Sequence, residues 1–450
     1  MFFRLPRSVR GKLAGAVVTV LLACAVTAGG IALGGDGGRA RAPVPAPPSS
    51  DIPVGRGAAA GLSGTVSALQ VRLRAQPGDW LGWARLGAAY VEQARTTGDP
   101  TRYPQAGRAV ARSLALRPRQ NDAGLAARAA LAAARHDFRA ALRDADAALA
   151  VNPYGERALA VRVDALVELG RYAEALAAAR HADAVHPGIP SFTRLAYVRE
   201  LLGDADGARK ALEVALQSAA RPDDIAYVAT ALGQLARSHG QYATAFRYYA
   251  LALRAAPGHL PALEGRARAY AARGELGTAA RELREVVRRY PLPGPLAALG
   301  EVYEARGERA AARRQYALAG AWADLARANG VAVDLDTALI ETDHGDRRAA
   351  LRAARAEWSR RQTVHTADAL AWTLHHTGQD REALPYAERA AAPGFRDAAF
   401  LYHRGTIERA LGRTADARRD LSAALRLDRG FSPTGAAAAR SALSALEAGR

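Results

Sequence analysis

Histidines, cysteines and paired carboxylates are the residues most able to do chemistry, and in this 450-residue chain they are few and scattered. Ten histidines stand at His136, His181, His186, His239, His259, His344, His365, His375, His376 and His403. None forms a His-Glu-x-x-His pair, and none shares a Cys/His cluster with zinc spacing. His375 and His376 are adjacent, and neighbours on a helix point about 100 degrees apart, so the two do not easily face one ion. The single cysteine, Cys24, lies in an apolar run, so the remainder of the chain can form no disulfide. No phosphate-cradling Gly-x-x-x-x-Gly-Lys-Ser/Thr loop, nucleophile elbow or dinucleotide fingerprint is present. The expectation is a protein that is not an enzyme, with no catalytic residues, no cofactor and no metal.

The formal charge of +18 raises the question of a nucleic-acid partner, because clustered cations displace counterions from phosphates. Nearly all of that charge is arginine; the lysines are Lys12 and Lys210. Part of the excess sits at the N-terminus, where Arg4, Arg7, Arg10, Lys12, Arg39, Arg41 and Arg56 face only Asp36 and Asp51. Beyond residue 61 the signs interleave, as on a solvated mixed-charge surface. Nucleic acid is therefore not the expected partner. A basic surface binder of nucleic acid or of an anionic envelope polymer stands as the alternative reading.

Residues 13–33 carry no charge, and about 20 such residues suffice to cross a hydrocarbon layer. The basic flank before them should remain cytoplasmic, which places the rest of the chain outside. A retained anchor fits the run length best. Cleavage after Val26-Thr27-Ala28 would make the segment a secretory signal, and acylation at Cys24, in Leu21-Leu22-Ala23-Cys24, would make the product a lipoprotein. Residues 1–34 are thus expected as a transmembrane anchor or signal, and residues 35–61, rich in Gly and Pro, as a semi-rigid linker. The expected location is a single-pass membrane protein with an extracytoplasmic C-terminal domain; secretion and lipidation are the alternatives.

These features must be carried by the remaining residues, 62–450, and here the chain repeats itself. Glycine recurs at Gly170, Gly203, Gly240, Gly274, Gly307, Gly345, Gly378 and Gly412. Five residues after each stands an alanine: Ala175, Ala208, Ala245, Ala279, Ala312, Ala350, Ala383 and Ala417. Helical patterning flanks each glycine, and Pro118, Pro153, Pro187, Pro257 and Pro291 follow second helices. Glycine ends a helix cheaply by taking positive φ, and proline blocks its continuation. The alanine has no bulk beyond Cβ, so the two helices of a hairpin can approach there.

Leu232-Gly233, Gly240, Tyr242, Ala245, Tyr249, Ala252 and Pro257 form one unit, and Leu299-Gly300, Tyr303, Gly307, Ala312, Tyr316 and Ala319 another. In these residues the array resembles the tetratricopeptide repeat family, from the leading helix at Leu62 to Leu446. The resemblance implies an all-α, right-handed superhelical α-solenoid of about ten helical hairpins, following an N-terminal transmembrane or signal helix. A break in the stacking is expected near Asn329-Gly330, where the pattern is irregular. The resemblance further implies a protein-interaction scaffold whose concave groove takes a partner's peptide or helix. The second, fifth, ninth and twelfth positions of a unit, which commonly line that groove, give Tyr227, Thr230, Gln234, Arg237, Glu264, Arg268, Glu301, Glu304, His365, Asp368, Trp372, His375 and Tyr402. Among them Trp372 is expected as an exposed anchor. The partner is expected to be a protein, with the membrane engaged only through the N-terminal helix.

Overall fold

A computed structural model describes residues 56–448 of the chain. These residues form twenty-two α-helices and no strand. A leading helix, α1 (Arg56–Ala75), is followed by ten hairpins. Their helices are α2 (Trp80–Thr97) with α3 (Arg102–Leu116), α4 (Asp122–Ala134) with α5 (Phe138–Val151), α6 (Glu156–Glu168) with α7 (Tyr172–Val185), α8 (Ile189–Leu201) with α9 (Ala205–Ser218), and α10 (Pro222–Ser238) with α11 (Tyr242–Ala255). The series continues with α12 (Leu260–Ala272) and α13 (Leu276–Arg289), α14 (Pro293–Ala305) and α15 (Arg309–Ala328), α16 (Asp334–His344) and α17 (Arg347–Arg360), α18 (Val364–His376) and α19 (Asp380–Ala391), and α20 (Ala398–Ala410) and α21 (Thr414–Leu427). A trailing helix, α22 (Gly435–Ala448), closes the stack. None of these helices is long and apolar enough to cross a membrane. The apolar run at residues 13–33 lies outside the described residues.

The repeat pattern becomes geometry in two ways. All eight anchor alanines are buried to 1% exposure or less, each where the second helix of a hairpin crosses the first. The Leu-Gly pair does the complementary job on the first helix. Tyr249 is fully buried, and a Cβ on either Gly233 or Gly265 would strike its ring, so one bulky side chain fills the space two glycines leave open.

The turn glycines take positive φ, from +69° at Gly240 to +83° at Gly274, and so reverse the chain after each first helix. Two units depart from the expected series. Gly345 has φ −140°, and its turn is closed instead by Asp346, whose side chain accepts from the backbone N–H of Arg348. In the second hairpin His136, thirty-four residues before Gly170, holds φ +62° and does what glycine does elsewhere.

The stack coils tightly enough for successive turns to touch. The Tyr290 hydroxyl donates to the Arg95 carbonyl, 195 residues earlier, and the Ala332 N–H donates to the Arg135 carbonyl at 3.1 Å. The Val364 N–H donates to the Tyr172 hydroxyl, 192 residues away, and Tyr242 donates to Asp428. One turn therefore takes between five and six hairpins. Apolar side chains cross the same seam, since Val163, Leu166, Tyr172 and Leu201 share a core with Val364, Ala367, Ala390 and Phe400.

The break expected near Asn329-Gly330 is a seam contact instead. Helix α15 runs on to Ala328, Trp322 donates its indole N–H to the Gly98 carbonyl, and Val331 and Val333 are buried. Stacking persists across the junction, where Ile340 packs with Ala312 and Tyr316, but it is thinner there than between the other neighbouring units.

Candidate functional site: the inner face and the seam

The first helices of the hairpins carry the thirteen residues expected in the groove, and the structure divides them. Tyr227, Gln234, Glu264, Arg268, Glu304 and His375 are partly exposed. Thr230, Arg237, Glu301, His365, Asp368, Trp372 and Tyr402 are buried. Thr230 spends its hydroxyl on the Ala226 carbonyl, 2.6 Å away within its own helix. Arg268 is held by Glu264 at 2.8 Å and donates also to the Gly294 carbonyl.

Trp372 is not the exposed anchor expected; it is 2% exposed. Its indole N–H donates to Asp343 at 2.9 Å, and its face stacks on His403 with ring centroids 4.0 Å apart. His403 in turn binds both oxygens of Asp368 through Nδ1, and both residues are 1% exposed. The sequence places Trp372 on a first helix, but its depth depends on how α16 and α20 close over α18, which no local pattern reports.

This C-terminal polar core has unusual electrostatics. Burial, with His375 alongside, pushes the His376 imidazole down to about 3, while burial raises Asp343 to about 6. His344 stacks on Tyr316 at 3.8 Å and stands 3.4 Å from Glu304. The Asp368–His403 pair has the form of an oriented base, but the far nitrogen of the imidazole, Nε2, meets no nucleophile among the described residues. Among those residues no three His, Cys, Asp or Glu side chains are grouped to hold a metal ion.

A second polar cluster, absent from the sequence reading, lies on the seam. Arg361 binds Glu357 of its own unit and Glu168 of the previous turn, and all three side chains are 4% exposed or less. Its guanidinium also lies over the Phe138 ring at 5.1 Å. His136 donates from Nδ1 to the Ala332 carbonyl at 2.7 Å; burial, with Arg361 nearby, pushes its imidazole down to about 4. Glu200 is pushed up to about 7, first by burial and then by Asp397 one turn later. Sequence spacing could have found His136, because it occupies the register of the turn glycines.

No family model matches the chain, and no curated protein does. Solved structures do. The chain is similar to a tetratricopeptide repeat protein from Parabacteroides merdae at 19% identity and a TM-score of 0.35, covering 58% of this chain and 98% of that one. A thermophilic TPR protein of Thermus thermophilus gives 25% identity and a TM-score of 0.36 over 41% of this chain and 98% of its own. The APC/C hetero-tetramer Cut9–Hcn1 gives 14% identity and a TM-score of 0.41, over 86% and 82%. With its own repeat of turn glycine, anchor alanine and stacked hairpin, the chain has the fold of a tetratricopeptide-like α-solenoid.

Proposed function

We infer that this protein is a protein-interaction scaffold, tethered to a membrane through residues 13–33, with the helical array on the extracytoplasmic side. The observation that carries the reading is the array itself: ten hairpins locked into one self-contacting coil, which offers a long rigid surface. The partly exposed Tyr227, Gln234, Glu264, Arg268, Glu304 and His375 form the part of the inner face still open to a partner's peptide or helix. The tether rests on the length and flanks of the apolar run.

The test is affinity capture with the full chain in mild detergent, beside a Gln234→Ala, Glu264→Arg, Arg268→Glu variant. A defined protein partner recovered by the wild type and lost by the variant is the expected result. Recovery of nothing above background, or equal recovery by both, contradicts the reading. The alternative, a basic surface that binds an anionic polymer, is favoured by one specific observation, the exposed guanidinium groups of the outer helices.

A further inference from the structure

The outer helices carry a pattern that the fold has not used. Two residues beyond the anchor alanine, five consecutive units place a cation: Lys210, Arg247, Arg281, Arg314 and Arg352. All five are exposed. Arg108, Arg143 and Arg419 hold the same place in three further units, and only Ala177 and Pro385 interrupt the series. Lys and Arg together are 62 of 450 residues, so a position chosen at random is basic about one time in seven. Because each unit stacks on the last, a position shared by successive units becomes a line along the outside of the coil.

Apart from Arg352, which lies near the Asp346 carboxylate, the line is not neutralised by its surroundings; on α9, beside Lys210, Asp206 and Glu213 pair with Arg209. Helix α11 contains no acid. In α13, Glu282 is held by Arg266 and Glu285 by Arg288, each at 2.7 Å. The one acid of α15, Asp324, lies at the far end of the helix, 2.7 Å from Arg327. The one acid of α17, Glu357, is buried against Arg360 and Arg361. Arg247 and Arg281 donate only to the hydroxyls of Thr244 and Thr278, which leaves their charge uncompensated.

Shape then selects the partner. Most contacts between turns join residues 186 to 197 apart, and residues 210 to 352 cover about three-quarters of that span, so the line runs around the coil and not along one side. A flat bilayer meets only a fraction of such a line. Duplex nucleic acid, with a persistence length of about 150 base pairs, would follow it only at a considerable bending cost. Single-stranded nucleic acid is held largely by bases stacking on aromatic side chains. Among the described residues the one exposed large aromatic is Tyr154, in the loop between α5 and α6 and outside the run. A flexible chain of phosphates without bases meets none of these objections, and arginine's forked donors are well suited to it.

We propose that the line from Lys210 to Arg352 binds a linear phosphodiester polymer of the cell envelope, wound around the outside of the coil. This rests on the basic-surface reading and is independent of the inner-face scaffold. Synthetic poly(glycerol phosphate) of graded length is the probe, titrated against the full chain in neutral detergent, with anionic vesicles and duplex DNA as the other arms. The affinity for the polymer should rise with its length, and five contacts predict a slope of log K against log salt of about −3.5. Arg247→Gln, Arg281→Gln, Arg314→Gln and Arg352→Gln together should weaken binding about tenfold or more and flatten that slope. The control Arg74→Gln, Arg119→Gln, Arg221→Gln and Arg429→Gln, which removes equal charge from other exposed positions, should stay within about twofold of wild type. Equal loss in both variants overturns the line while leaving a diffusely basic surface. A preference for vesicles or duplex over the polymer overturns the choice of partner. Binding to none of the three overturns the basic-surface reading as well.

Discussion

Two sets of turn glycines share a conformation but not a setting. Gly170, Gly203 and Gly240, in the first coil turn, lie against the next: a Cβ on Gly170 would strike the Gln362 carbonyl, one on Gly203 would lie 2.6 Å from the Gly394 oxygen, and one on Gly240 2.7 Å from the Leu427 oxygen. Gly274, Gly307, Gly378 and Gly412 have the same positive φ, yet a Cβ on any of them would meet nothing within 4 Å. Local chain reversal accounts for glycine in both sets. Only the first set also reports the pitch of the coil, because there a methyl group would have to fit between two backbones.

The contrast can be broken most forcefully through the buried ion pairs. Replacing Glu168 by Ala leaves Arg361 short of one carboxylate in a closed environment and should cost about 3–5 kcal/mol. Glu174→Ala, which removes the exposed partner of Arg171, should leave the denaturation midpoint unchanged. Comparable midpoints for the two variants would mean that the seam is open in solution.

The glycines themselves come next. Gly412→Ala should cost about 1–2 kcal/mol, the strain of the left-handed conformation alone. Gly170→Ala adds the collision with Gln362, so its loss in chemical denaturation should exceed that of Gly412→Ala by at least another ~1 kcal/mol.

The smallest effect is a pH dependence. His136 is held near 4, below the ordinary 6.5, so the folded state favours its neutral form. Its contribution is complete above about pH 6.5 and is lost as pH falls towards 4. Glu200, raised to about 7, acts the opposite way: its contribution is complete below about 4.5 and is lost as pH rises towards 7. The stability difference between wild type and His136→Asn isolates the histidine's part, since asparagine tolerates positive φ without titrating. That difference should change by about 1–2 kcal/mol between pH 6.5 and 4 in thermal or chemical unfolding. A flat difference would mean that His136 is solvated and the seam near Ala332 is not formed.

How much the sequence made legible depends on the range of each interaction. The alanine at every fifth position after a turn glycine is a local matter, set by two helices of one hairpin, and Ala175 through Ala417 could be read off directly. The placing of the candidate residues on first helices was also legible, because it repeats with the unit. Depth was not: Trp372 sinks beneath His403 and against Asp343, on helices about thirty residues to either side. The pitch of the coil was less legible still, since Arg361 and Glu168 are 193 residues apart and nothing local marks them as a pair. The irregular stretch after Tyr316 signalled something real, but sequence alone could not distinguish a break from a contact. His136 escaped a search for glycine although the left-handed region also accepts histidine.

The contact between coil turns is tested most directly by a distance between residues that the sequence keeps far apart. Arg139 donates to the Ser359 carbonyl at 3.2 Å although 220 residues separate them, and both side chains are exposed. With the native Cys24 replaced by serine, spin labels at Arg139→Cys and Ser359→Cys should give a single narrow distance at the short end of the measurable range. A broad or long distribution, as an open superhelix would produce, would contradict the closed seam.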